Sequence, residues 1–142
     1  MGGVRALRPL LLLVAAVVVA AGCVHYPSVE DMGGVRVRPE KGRAVRNGDS
    51  AAFYVELHST GKFGDVLSGV VTPVAREARL VTGAGAPLAS LEVPGATTIA
   101  FAPDGPHAVL SDFTRPLVPG EIIIVTLMFQ KLGALGIITV VE

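Results

Sequence analysis

Cysteine is almost missing from this chain: Cys23 is the single one in 142 residues. Tryptophan is absent, and aromatic residues make up only 5%. One cysteine leaves no partner for an internal disulfide, so a small domain of this kind depends on a well-packed core. Catalytic signatures are missing too. There is no Gly-x-Ser-x-Gly, no His-Glu-x-x-His and no cysteine nucleophile besides Cys23. "GAGAP" at residues 83–87 lacks the Lys-Ser/Thr of a phosphate-binding loop. Asp65, Asp104 and Asp112 sit beside turns and strand ends, where carboxylates serve turn geometry. No carboxylate pair is spaced for acid/base work. The chain reads as a non-enzyme. Charge of one sign is lacking as well: twelve Lys and Arg face twelve Asp and Glu. Such a balance gives no drive toward nucleic acid. Helical periodicity, internal repeats and low-complexity segments are also absent.

What is present begins at the N-terminus. Arg5 and Arg8 form a basic region, and residues 10–20 form an apolar run. Ala20, Ala21 and Gly22 then precede Cys23. That order reads as a secretory signal. About eleven apolar residues fall short of the roughly 20 that span a bilayer as a helix. The Ala-Gly-Cys ending resembles the bacterial lipobox, whose cysteine is lipidated and becomes the new N-terminus. The expectation is a lipoprotein signal at residues 1–22, a lipidated Cys23 with a tether to residue 34, and a domain over residues 35–142. The product is extracytoplasmic and lipid-anchored to a membrane of the cell surface or periplasm. Removing Arg5 and Arg8 leaves ten cations against twelve acidic groups, a net charge of −2.

Within the domain, Gly and Pro punctuate short segments rich in Val, Ile, Thr and Phe, the pattern of an all-β sandwich or barrel. "AAFYVELH" puts Phe53, Val55 and Leu57 on one face and Tyr54, Glu56 and His58 on the other. "EIIIVTLMFQ" can line the core with Ile123, Val125, Leu127 and Phe129. "EARLVT", "TTIAF", "HAVLSDF" and "GIITVVE" are further strands. Arg36, Arg38, Lys41, Arg43 and Arg46 place five cations in eleven residues. They read as a solvated edge strand, protected by charge from aggregation. The alternative is contact with anionic headgroups near the anchor, at about 1 kcal/mol per cation.

A Pro-Asp-Gly-Pro turn at residues 103–106 delivers His107 into an apolar strand. Its neighbours in sequence carry a resemblance. "AAFYVELHSTG", "DVLSGVVTPVA", "VPG" at residues 93–95, "PDGPH" at 103–107, "LVPGE" and Phe129 to Gly133 follow one another as do the motifs of the PCuAC family of periplasmic copper chaperones. The resemblance covers about ninety residues. It implies a cupredoxin-like antiparallel Greek-key β-sandwich of seven to nine strands, and Cu(I) held by Met and His side chains. Thioether sulfur is soft and selects Cu(I). By resemblance the ligand positions fall at Val55, Val81, Gly83, His107 and Val109, so His107 is the family ligand retained and the copper set is incomplete. Substitute donors come into view in Glu56, His58, Met128 and His25, though Glu56 has the opposite parity to Val55. The resemblance therefore implies a non-catalytic binding or accessory lipoprotein in copper handling or oxidase assembly, with a protein partner there. The alternatives are a working Cu(I) chaperone using His107 plus substitute ligands, and a structural envelope lipoprotein.

Overall fold

The computed structural model describes residues 34–142, and the unit Gly33–Glu142 is compact in its own right. The signal segment, Cys23 and nearly all of the tether lie outside the described residues. Ten strands follow one another: β1 Val37–Asn47, β2 Ser50–Ser59, β3 Asp65–Val71, β4 Ala75–Val81, β5 Pro87–Leu88, β6 Leu91–Val93, β7 Thr97–Ala100, β8 His107–Phe113, β9 Ile122–Phe129 and β10 Gly133–Val141. No helix occurs among the described residues. The all-β reading holds, with two short strands, β5 and β6, carrying the count past nine.

In space the strands run β5-β4-β8-β2-β1-β10-β9-β3-β6, and β7 continues along β2 beyond β8. Neighbours such as β4 with β8 and β9 with β3 are far apart in sequence, which is the Greek-key feature. β3 and β4 lie near opposite ends of this order, yet a tight turn with a Thr72↔Ala75 bridge joins them. The sheet must therefore curl back on itself, nearly closing as a barrel. One pairing departs from the antiparallel expectation. β1 meets β10 in parallel, at Arg43↔Val140 and Ala44↔Val141.

That pairing also corrects the reading of the basic stretch. β1 is no edge strand, because β2 flanks it on one side and β10 on the other. Its cations are engaged locally. Arg38 meets Glu40 at 3.1 Å, Lys41 meets Glu56 at 3.0 Å, and Arg43 meets Glu142 at 3.4 Å. Three of the five cations thus have a carboxylate partner.

The core is built by alternation. Phe53, Val55 and Leu57 of β2 are buried, as are Ile123, Val125, Leu127 and Phe129 of β9. Phe53 meets Phe101 edge to face at 6.2 Å, the arrangement favoured by aromatic quadrupoles. The outward residues of β9 and β10 are apolar too. Ile122 pairs with Val140 and Ile124 with Ile138, and all four are exposed.

Candidate functional site

The corner around His107 is assembled from β2, β4 and β8. The register sets His107 opposite Val81 of β4. Val109, two residues on and so on the same face, lies between Arg79 of β4 and Ala52 of β2. The Nδ1–H of His107 donates to the Gly105 carbonyl at 3.0 Å. A carbonyl only accepts, so Nδ1 carries the hydrogen and a neutral ring offers its lone pair at Nε2. The imidazole rests against Tyr54, with ring centroids 5.6 Å apart. Arg43 lies over the Tyr54 ring at 4.9 Å, a cation–π contact worth about 0.5–1 kcal/mol at an exposed site.

The remaining positions of this corner offer no donor. Val81, opposite His107, is 4% exposed, while Val55 is buried on the core face of β2, the face opposite to that of Tyr54. At Gly83 no side chain fits at all, because a Cβ there would collide with the backbone carbonyl of Asp104. The turn that delivers His107 therefore occupies the space a ligand side chain would need. Met128 belongs to β9, whose sheet neighbours are β10 and β3, not β8. His25 lies outside the described residues. One imidazole amid valines and packed backbone does not fit Cu(I), which requires several soft donors.

A second group gathers on the outer face of β1 and β2. Glu40 stands directly opposite Glu56, and His58 is two residues further along β2. His58 Nε2 lies 3.3 Å from Glu40 Oε2 and 3.4 Å from Glu56 Oε2. Nε2 is shut off from solvent, and these two carboxylate oxygens are its neighbours. Thr98 Oγ1 of β7 sits 3.2 Å from the other ring nitrogen, Nδ1, and fixes the ring. Each carboxylate is steadied through its other oxygen: Arg38 holds Glu40 Oε1 and Lys41 holds Glu56 Oε1. The Lys41 hydrogen bond is the largest influence on Glu56 and, with His58, holds its carboxyl below the ordinary value against some desolvation. One donor atom from each of Glu40, Glu56 and His58 lies within 4.8 Å of the others.

Glu56 and His58 were visible as one face of a strand; Glu40 was not. The hairpin closes at Asn47↔Ser50 around Gly48, whose φ is 61°, and pairs Arg43 with Tyr54. Three further steps without interruption would set Glu40 opposite Leu57, on the core face. A bulge between Glu40 and Arg43 shifts the register by one and turns Glu40 to the face of Glu56. Lys41 takes a φ of 55° there, and Gly42 leaves no room for a side chain, since a Cβ would lie 2.7 Å from Ile138 O. The Gly in "EKGR" was the available signal. A separate open cleft of about 520 Å³, lined by Arg46, Asp49, Asp112 and Arg115 among others, contains neither histidine.

Comparison with known proteins follows the same lines. No curated protein matches the chain. Among solved structures, the copper-bound PCuAC domain from PmoF2 superposes with a TM-score of 0.68 at 23% identity, covering 77% of this chain and 95% of that one. The apo PCuAC domain from PmoF1 gives 0.65 at 28% identity, covering 79% and 96%. The Cu(I) form of DR1885 from Deinococcus radiodurans gives 0.61 at 23% identity, covering 84% and 85%. The model of the LpqE-like lipoprotein family matches residues 31–141. A family match over most of the chain, on a fold shared with PCuAC domains, makes this protein a member of the LpqE-like lipoprotein family with a PCuAC-type β-domain.

Proposed function

We propose that this chain is a lipid-anchored, extracytoplasmic accessory protein of copper handling or oxidase assembly, and that it does not carry Cu(I) at the corner around His107. In this reading residues 1–22 are a signal, Cys23 is lipidated, residues 24–34 are a tether and residues 35–142 are the binding domain. Its work is non-catalytic and directed at a protein partner. The family name and the copper-bound PCuAC neighbours support the copper context. The observation that carries the reading on Cu(I) is the packing of the corner: the 103–106 turn fills the space beside Gly83, and Val81 opposite His107 is buried.

The test is a Cu(I) competition titration against a chelator of known affinity. The unmodified chain is expected to lose the competition, and His107→Ala to leave the result unchanged. Tight one-to-one Cu(I) binding that disappears in His107→Ala would overturn this reading in favour of a working chaperone.

A further inference from the structure

The donor set on the outer face of β1 and β2 differs in kind from a Met/His corner. We propose that Glu40, Glu56 and His58 form a site for a divalent transition cation of the Zn²⁺ class. The site shares no position with the His107 corner, so its outcome is independent of the Cu(I) titration.

Three observations carry the assignment. The first is spacing. Ligands about 2.0–2.2 Å from a tetrahedral Zn²⁺ lie about 3.3–3.6 Å from one another. His58 Nε2 lies 3.3 and 3.4 Å from the two carboxylate oxygens. Those contacts are ion pairs, and they draw both carboxylates to the same ring nitrogen. Three donor atoms within 4.8 Å of one another converge as ligands around a common centre do.

The second is orientation from outside the group. Thr98 fixes His58 through Nδ1, which leaves Nε2 turned to the carboxylates. Arg38 and Lys41 each take the Oε1 atom of one glutamate, so both Oε2 atoms remain directed at Nε2. Metal-bound histidines and carboxylates are held in this way by neighbouring groups.

The third is the local charge. Like charges directly opposite on a sheet destabilise it, and Glu40 faces Glu56 across β1 and β2. Arg38 and Lys41 offset part of that repulsion through the Oε1 atoms, and a cation between the two Oε2 atoms would relieve the remainder. Two carboxylates and an imidazole, without sulfur, suit a borderline divalent ion and give Cu(I) no soft donor. The side chains of Glu40, Glu56 and His58 keep 41%, 32% and 28% exposure. Three protein ligands, with the glutamates partly exposed, leave a fourth coordination position for water or for a donor from a partner.

The experiment is isothermal titration of the untagged full chain, stripped with chelator, against Zn²⁺, with Mg²⁺ as the hard-ion control. One saturable Zn²⁺ equivalent is expected, with no comparable Mg²⁺ binding. Glu56→Gln and His58→Asn should each abolish it, while His107→Ala leaves it intact. Glu40→Gln is the second variant, on a separate strand and with an exposed side chain. Thr98→Val should weaken binding by about tenfold, as loss of an orienting partner does. X-ray absorption of the loaded chain should show nitrogen and oxygen ligands and no sulfur. Absence of saturable Zn²⁺ binding overturns the proposal. So does binding that survives Glu40→Gln, Glu56→Gln and His58→Asn, or that requires His107.

Discussion

Oδ2 of Asp65 accepts the backbone N–H of Leu132 at 2.8 Å, tying the first residue of β3 to the turn between β9 and β10. Oδ1 takes the N–H of Lys131 at 3.0 Å and that of Val66 at 2.7 Å. Asp65 as a residue is 4% exposed. Burial by itself raises its pKa. The N–H groups of Leu132, Lys131 and Val66 outweigh that and hold it below the ordinary value. A hydrogen bond to a charged group contributes about 1.5–3 kcal/mol, and orphaned buried donors add to the loss. Asp65→Ala should therefore cost about 3 kcal/mol in urea unfolding at neutral pH.

The same bonds set a pH dependence. A carboxyl whose pKa is lowered in the folded state gives stability that is complete above its unfolded pKa. That stability is lost as pH falls through the folded value. The original chain should weaken steadily below about pH 4, and Asp65→Asn should show a flatter curve over that acid range. Parallel curves for the two proteins would mean that Asp65 titrates normally.

Core and surface of the β9–β10 pair should respond unequally. Leu127 of β9 is fully buried, whereas Ile138 of β10 is 68% exposed. Leu127→Ala leaves a cavity and should cost about 2–5 kcal/mol. Ile138→Thr keeps a β-branched residue on the solvent face and should stay within about 0.5 kcal/mol. Thermal melts of the two variants check this, and a large loss in Ile138→Thr would place that face under cover.

Alternation made much of this fold legible. Ile123, Val125, Leu127 and Phe129 are buried as their spacing implies, because period-2 patterning needs no knowledge of partners. β8 begins at His107, where the Pro-Asp-Gly-Pro turn ends. The position of β1 was not legible. Its run of cations suits an edge, and only the pairing of the chain's last strand with it places it inside the sheet. Glu40 was hidden for a related reason. Its face depends on a one-residue bulge, and a single shift of register reverses every side chain beyond it.

The anchor has its own test. The small residues before Cys23 form a lipobox-like end to the signal, and more than one acyl chain gives stable attachment. Cys23→Ser should move the protein from the membrane to the soluble fraction. A variant that stays membrane-bound at full length would show an uncleaved anchor instead.

The last expectation concerns rebuilding a copper corner, and it separates two positions that the sequence alone treats alike. Val109 is half-buried, on the face of His107. A longer side chain there can extend toward solvent, so Val109→Met should change stability by less than about 1.5 kcal/mol. It also places a thioether beside the imidazole and should raise Cu(I) affinity modestly. Gly83 cannot accept the same change. Its missing side chain is the space taken by the Asp104 carbonyl, and backbone does not yield as a flexible side chain does. Gly83→Ala should already destabilise the domain by about 1–3 kcal/mol, as overpacking does, and Gly83→Met by more. Denaturant melts and Cu(I) competition on the three variants decide the point. A Gly83→Met protein as stable as the original, with added Cu(I) affinity, would show that the 103–106 turn moves aside and that the corner is not closed by its own backbone.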